Sequence, residues 1–199
     1  MTADVLQTGA AGSGTAAHAR GHVQADSGTE APWFTVRTAR SDEFDRVGEV
    51  TYLGFGHGGP GATQPDPERL ALLRGAAARA EVGDLLVAVD PAGRILGTAS
   101  LLRADSALVR QSRGGEAELR LLAVLPEARR RGIGEALMIE AIERARAWGA
   151  PALVLDTGPA NERSQRLYHR LGFDRLPERE TIPASRGGYL AVFRFELGG

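Results

Sequence analysis

The stretch that most limits what this 199-residue chain can become is Leu121-Leu-Ala-Val-Leu-Pro-Glu-Ala-Arg129-Arg-Arg-Gly132-Ile-Gly134. An apolar run there meets a proline, three arginines and two glycines before a long helical pattern begins. Leu119–Val124 reads as a strand. Gly132 to Trp148 reads as a helix that buries Ile133, Leu137, Ala141, Ala145 and Trp148 and closes at Gly149. A strand that feeds a glycine-containing turn into a helix start makes an anion site. The first-turn amides have no acceptor within the helix, and the dipole adds roughly half a positive charge there. Gly132 and Gly134 let a phosphate approach the backbone, and Arg129, Arg130 and Arg131 add fixed charge. The expected ligand carries a pyrophosphate or a similar group; an arginine cluster that stays solvated ahead of an ordinary helix is the alternative.

Composition narrows the chemistry. All 24 basic residues are arginine and cysteine is absent. A lysine Schiff base, a Walker-type P-loop, thiolate catalysis, disulfides and cysteine metal sites are therefore excluded. With 25 acidic residues and a formal net charge of −1, the chain does not read as a nucleic-acid binder. No apolar run approaches the ~20 residues of a membrane span, so a soluble, cytoplasmic protein is expected.

Residues 1–32 stand apart. Up to Glu30 the large apolar side chains are Met1, Val5, Leu6 and Val23 among many Ala, Gly, Thr and Ser, and a flexible low-complexity tail is expected. Gly12-Ser-Gly14 is half a dinucleotide fingerprint without a preceding strand, and His18 and His22 share helical spacing but lack a third ligand; both read as incidental. Residues 33–199 suit one domain that buries roughly 70% of its unfolded surface.

Within it, Phe34–Thr38 reads as a strand and Ser41 as the cap of a helix carrying Phe44, Val47, Val50 and Phe55. Gly54–Gly61 reads as a loop, and Asp66-Pro67-Glu68 opens a second helix to about Ala80. Asp84–Val89 and Ile95–Leu102 form a hairpin pattern across Asp90-Pro-Ala-Gly93. After the long helix come a strand at Leu153–Thr157, a short helix at Asn161–Leu171, and a closing antiparallel pair, Phe173–Arg179 with Tyr189–Leu197. The order implies an α/β fold with a mixed sheet.

A second motif follows the turn: Asn161-Glu-Arg-Ser164-Gln-Arg-Leu167-Tyr168-His-Arg-Leu171-Gly172-Phe173. Asn161, Ser164 and Tyr168 share one face of a helix, and Leu167, Leu171 and Phe173 supply the buried side. Taken with Arg129-Arg-Arg-Gly132-Ile-Gly134, which fits Gln/Arg-x-x-Gly-x-Gly/Ala, this chain resembles the GNAT (Gcn5-related) N-acetyltransferase superfamily from about Trp33 to Leu197.

The resemblance implies a single-domain fold with a mixed, mostly antiparallel central sheet, splayed between strands 4 and 5 and flanked by helices. It implies acetyl-CoA as cosubstrate, with no metal, and an acetyl transfer to a primary amine by direct attack. Arg129, Arg130, Arg131, Gly132, Ile133, Gly134 and Glu135 would then hold the pyrophosphate. Leu122, Ala123 and Val124 would pair with the pantetheine arm, which Asn161 and Ser164 would also approach. The Val124 amide would face the thioester carbonyl, Tyr168 would protonate the leaving thiolate, and Glu118, with Glu116 or a water as rivals, would be the base. The acceptor, a small amine or a peptide N-terminus, would meet Tyr52–Gln64, including Tyr52, Phe55 and His57, and the loop Thr181–Gly188. Family members are often homodimers. A non-catalytic acyl-CoA-binding or sensing module is the competing reading. A nicotinamide-dependent oxidoreductase ranks third, because Leu137 and Met138 stand where a third glycine would fall.

Overall fold

The apolar runs assemble into a seven-stranded sheet of order β1-β2-β3-β4-β5-β7-β6. This computed structural model describes residues 32–185 and 187–198; Gly12-Ser-Gly14, His18, His22 and nearly all of the expected tail lie outside them. The strands are β1 Thr35–Thr38, β2 Gly83–Val89, β3 Ile95–Leu102, β4 Ala117–Val124, β5 Ala152–Thr157, β6 Asp174–Arg175 and β7 Ala191–Glu196. Every pairing is antiparallel except β4 with β5, which is parallel. Strand β3 is buried along its whole length and β2 along most of it, which is why both read as near-continuous apolar runs.

The helices are α1 Phe44–Gly54, α2 Pro67–Arg74, α3 Ala76–Glu81, α4 Ile133–Ala147 and α5 Glu162–Arg170. Arg79 of α3 reaches Ser100 on β3, while Ile133 and Leu137 of α4 stand beside Gly97. Positions three apart on a strand face opposite sides, so α3 and α4 cover opposite faces of the sheet. The same Arg79 ties α1 and α2 to its own face through the Thr51 hydroxyl (3.3 Å) and the Leu73 carbonyl (3.1 Å).

Three local expectations change. Ser41 starts a short 3₁₀ turn, Ser41–Glu43, and caps nothing with its side chain. Glu43 organises the corner instead, accepting from the Arg40 amide at 2.8 Å and pairing with Arg37 at 2.6 Å. Asp66 does cap α2, accepting from the Arg69 amide at 2.7 Å, but the helix breaks at Gly75 and resumes as α3. Gly75 has a non-helical ψ of 60°, and a Cβ on it would lie 2.8 Å from the Ala71 carbonyl oxygen, so the break suits a glycine. The closing pair is shorter than its pattern suggested: β6 has two residues, and Pro177–Arg179 form a 3₁₀ turn.

The feature that makes a site is the incomplete contact between β4 and β5. They pair only at Ala117–Leu153, Glu118–Val154 and Leu119–Leu155. On its other edge β4 pairs with β3 at Arg120–Ser100 and next at Ala123–Thr98, so Leu121 and Leu122 together oppose Ala99. This is a bulge, and it requires φ of +56° at Leu121, a conformation that costs a leucine ~1–2 kcal/mol. The bulge bends β4 away from β5 and opens a cleft between them.

Candidate active site

The cleft, about 550 Å³, is walled by Leu119–Leu122 of β4, by Leu155, Asp156 and Thr157 of β5, and by Asn161, Ser164 and Tyr168 of α5. Its mouth is edged by Phe55, Arg69 and Arg110 and by Ala184, Ser185 and Leu190 before β7.

The β4 edge presents unused backbone. The Leu125 amide donates to the Leu96 carbonyl at 2.9 Å, and Val124 lies opposite Gly97. Ladder bonds alternate along an antiparallel pair, so the Val124 N–H points away from β3, toward the side β5 has vacated. Gly54 at the end of α1 leaves room there: a Cβ on it would sit 3.1 Å from the Val124 nitrogen and 2.8 Å from the Ala123 side chain.

At the far end of β4 the turn has the geometry of an anion cradle. Pro126–Ala128 form a 3₁₀ turn, Arg130 and Gly132 adopt φ of +65° and +82°, and α4 starts at Ile133. Its first helical bond runs from the Ala136 amide to the Gly132 carbonyl, so the amides of Ile133, Gly134 and Glu135 are not used by the helix. A Cβ on Gly134 would stand 3.9 Å from both Val124 and Leu167, which places this residue between β4 and α5 with open space beyond. The arginines divide their work. Arg129 donates to the carbonyls of Val124 (3.2 Å) and Gly54 (2.9 Å), and Arg131 stacks 3.6 Å from the centre of the Trp33 ring. Arg130 is exposed, and Glu135 pairs with Arg170 at 2.9 Å.

Tyr168 packs against Phe193 and Phe173 at ring separations of 5.3 and 6.1 Å. Burial pushes its hydroxyl up to about 12, against smaller opposing effects of hydrogen bonds with Ser164 and Thr157. Asn161 caps α5 by accepting from the Ser164 amide at 3.4 Å, and its own amide donates to Thr157 at 3.0 Å. The face of Asn161, Ser164 and Tyr168 is thus one hydrogen-bonded group on the cleft wall.

The two carboxylates expected to serve as base sit elsewhere. Glu118 is fully buried and does not line the cleft. One of its oxygens accepts the amides of Arg110, Gln111 and Ser112 at 2.8, 2.7 and 3.0 Å, so the residue anchors the loop between β3 and β4. Its other oxygen is buried without a hydrogen bond, 3.7 Å from Arg120 Nε. Glu116 is clamped by Arg179 (2.9 Å) and Arg194 (2.6 Å), which hold its carboxyl below the usual range against the opposing effect of burial. Among the described residues, Asp156 is the one carboxylate on the cleft wall; it pairs with Arg110 and accepts from Gln111 at 3.2 Å.

On the acceptor side Phe55 lines the cleft, whereas Tyr52 and His57 do not. Tyr52 is buried and bonds Gln64 at 2.7 Å; the His57 ring bonds the Thr63 carbonyl at 2.9 Å and packs 5.2 Å from Tyr52. These two residues brace the loop before α2. Sequence reasoning missed Asp156, Arg69, Arg110 and Arg120. The available signal was a charged residue inside an apolar strand, at Arg120 in β4 and at Asp156 in β5.

An open strand edge and a buried phenol wall one cleft, and a turn with unused helix-start amides follows the end of the same strand. The family model "Acetyltransferase (GNAT) family" matches residues 55–173, more than half of the chain, and the chain belongs to that family. Over 93 residues it is 39% identical to mycothiol acetyltransferase of Arthrobacter sp. (strain FB24), covering 45% of this chain and 27% of that protein. It is 36% identical over 81 residues to an uncharacterised N-acetyltransferase of Mycobacterium tuberculosis, covering 41% and 47%. The matches therefore span less than half the length of these relatives. A phosphinothricin acetyltransferase from Sinorhizobium meliloti, solved with acetyl-CoA, superposes with a TM-score of 0.62 at 26% identity, covering 83% of this chain and 89% of the other. The Escherichia coli ribosomal-protein-S18-alanine N-acetyltransferase shares the fold at a TM-score of 0.60 and 20% identity, covering 83% and 95%. Among the described residues no group of three or more metal-ligating side chains exists, and no helix is long and apolar enough to cross a membrane.

Proposed function

We propose that this chain transfers the acetyl group of acetyl-CoA to a primary amine by direct attack within one complex. The observation that carries the reading is the unpaired edge of β4 beyond Leu119, whose Leu121 and Leu122 wall the same cleft as Tyr168, with the Val124 N–H next along that edge pointing away from β3. Family membership and neighbours solved with acetyl-CoA support it.

The residues present suit this cosubstrate. The unused amides of Ile133, Gly134 and Glu135 would hold its pyrophosphate, and Leu122 to Val124 would offer the pantetheine amides a strand to pair with. Acetyl-CoA supplies the thioester whose C–S bond breaks as the C–N bond forms. The Val124 N–H would stabilise charge on the carbonyl oxygen, a role worth ~3 kcal/mol for one donor. The Tyr168 hydroxyl donates to the departing sulfur. Asp156 takes the place in the reaction that Glu118 cannot fill from inside the loop, receiving the proton of the incoming ammonium directly or through water.

A thiol-release screen over amines, amino acids and short peptides tests this reading. Turnover with at least one primary amine is expected; tight acetyl-CoA binding without turnover on any amine would leave only a carrier-binding module.

A further inference from the structure

A second cavity of about 600 Å³ lies on the α2–α3 side of the cleft, walled by α2, α3 and residues 107–110. The two cavities have three residues in common, and all three are arginines: Arg69 of α2, Arg110 of the β3–β4 loop and Arg120 of β4. Their counter-charges are incomplete. Arg110 pairs with Asp156, and Arg120 donates to the Leu108 carbonyl with its Nε 3.7 Å from Glu118. That carboxylate already spends its other oxygen on three loop amides. Arg69 has no carboxylate within 4.0 Å among the described residues and rests 5.0 Å from the centre of the Phe55 ring. A fourth guanidinium, Arg79, lines the second cavity, is 1% exposed and bonds only neutral acceptors. The acids on that cavity's wall, Asp66 and Glu68, are solvent-exposed.

Arg69 and Arg120 are half-buried, the exposed Arg110 beside them adds a third positive charge, and a buried cation short of a counter-charge favours an anion beside it. We propose that Arg69, Arg110 and Arg120 bind an anionic group, a carboxylate or a phosphoryl, carried by the acceptor amine. The acceptor's amino group would then lie toward Asp156 and the open edge of β4, and its anion toward the junction of the two cavities. Opposite charges at the two ends of the site orient a small zwitterion, which neither end could do alone. Burial and the neighbouring Arg110 both hold Arg69 and Arg120 below the ordinary arginine value, the direction that a bound anion would reverse.

This inference rests on the acetyltransferase reading, and its test separates the two. Matched probes are used: L-alanine against L-alaninamide for the carboxylate, and O-phosphoethanolamine against ethanolamine for the phosphoryl group. Each probe is titrated into the protein without acetyl-CoA, with binding followed by NMR line shifts, and each is then assayed as acceptor. The anionic member of at least one pair should bind about tenfold more tightly than its neutral partner. In Arg69→Gln that preference should collapse through KM with little change in kcat, and Arg69→Lys should restore part of it. Acetyl-CoA titrated into each variant shows that the fold is kept. Equal binding of both members of each pair overturns the anion site even if amines are acetylated. Selective binding of the anionic probe that Arg69→Gln abolishes, with no acetyl transfer to any amine, upholds the anion site and overturns the acetyltransferase reading instead.

Discussion

Burial pushes the Tyr168 hydroxyl up to about 12, well above the ~8.5 of an ordinary thiol. Full transfer of its proton to a thiolate would be uphill in the resting site, so in the proposed reaction the hydroxyl would act by donating a hydrogen bond as charge grows on sulfur. Tyr168→Phe should lower kcat by about 100-fold and leave the acetyl-CoA affinity unchanged, read by steady-state kinetics and calorimetry. The sign of the shift also predicts stability. A phenol whose folded value lies above its unfolded one favours the native state fully below pH ~10, and that contribution is lost as pH rises toward 12. The wild-type protein should therefore lose more denaturation midpoint than Tyr168→Phe between pH 10 and 12. Tyr168 and its helix face were legible because a 3.6-residue period and a motif coincide there. Glu118 shows the limit of such reading: its place on β4 was correct, but nothing in the order of residues told that three loop amides converge on one oxygen.

Two elements owe their shape to buried carboxylates. Glu118 holds residues 110–112 across 6 to 8 positions of chain, and its removal would strand three donors. Glu118→Ala should destabilise the protein by about 3 kcal/mol in denaturant titration, and the pH profile of any residual turnover should keep its acidic limb. Loss of that limb with unchanged stability would return Glu118 to the role of base. At the β1–α1 corner, the Arg37 hydrogen bonds lower Glu43 to about 2, with the Arg40 amide adding to the effect against burial. A depressed carboxylate stabilises fully above its unfolded value near 4.5 and loses that contribution as pH falls toward 2. Glu43→Gln should flatten the acid-denaturation curve across that window. Strand and helix positions were largely legible from periodicity and capping residues. The break at Gly75 and the bulge at Leu121 were not, since each is imposed by tertiary contact and neither residue announces it locally.

Across the whole molecule the cleft exists because one sheet is stitched along β1–β4 and along β5–β7 but only partly between. A ligand bridging that gap ties the two halves of the sheet to each other, so occupancy should appear as global stability. At acetyl-CoA one hundred times its dissociation constant the native state gains ~2.7 kcal/mol, which raises Tm by roughly 5–10 °C for a domain of this size. In the proposed complex Gly134 stands where the diphosphate would enter. A methyl there meets Val124 and Leu167 at an ordinary 3.9 Å, so Gly134→Ala should keep most of the thermal shift. Gly134→Glu places a longer side chain and a negative charge beside the amides of Ile133 to Glu135, where diphosphate repulsion would dominate. Its Tm without ligand should stay close to wild type, because the residue is at a helix N-terminus that tolerates a carboxylate, yet the shift should vanish. A full shift in Gly134→Glu, measured by differential scanning fluorimetry, would place the carrier away from this turn and detach the cleft from the chemistry assigned to it.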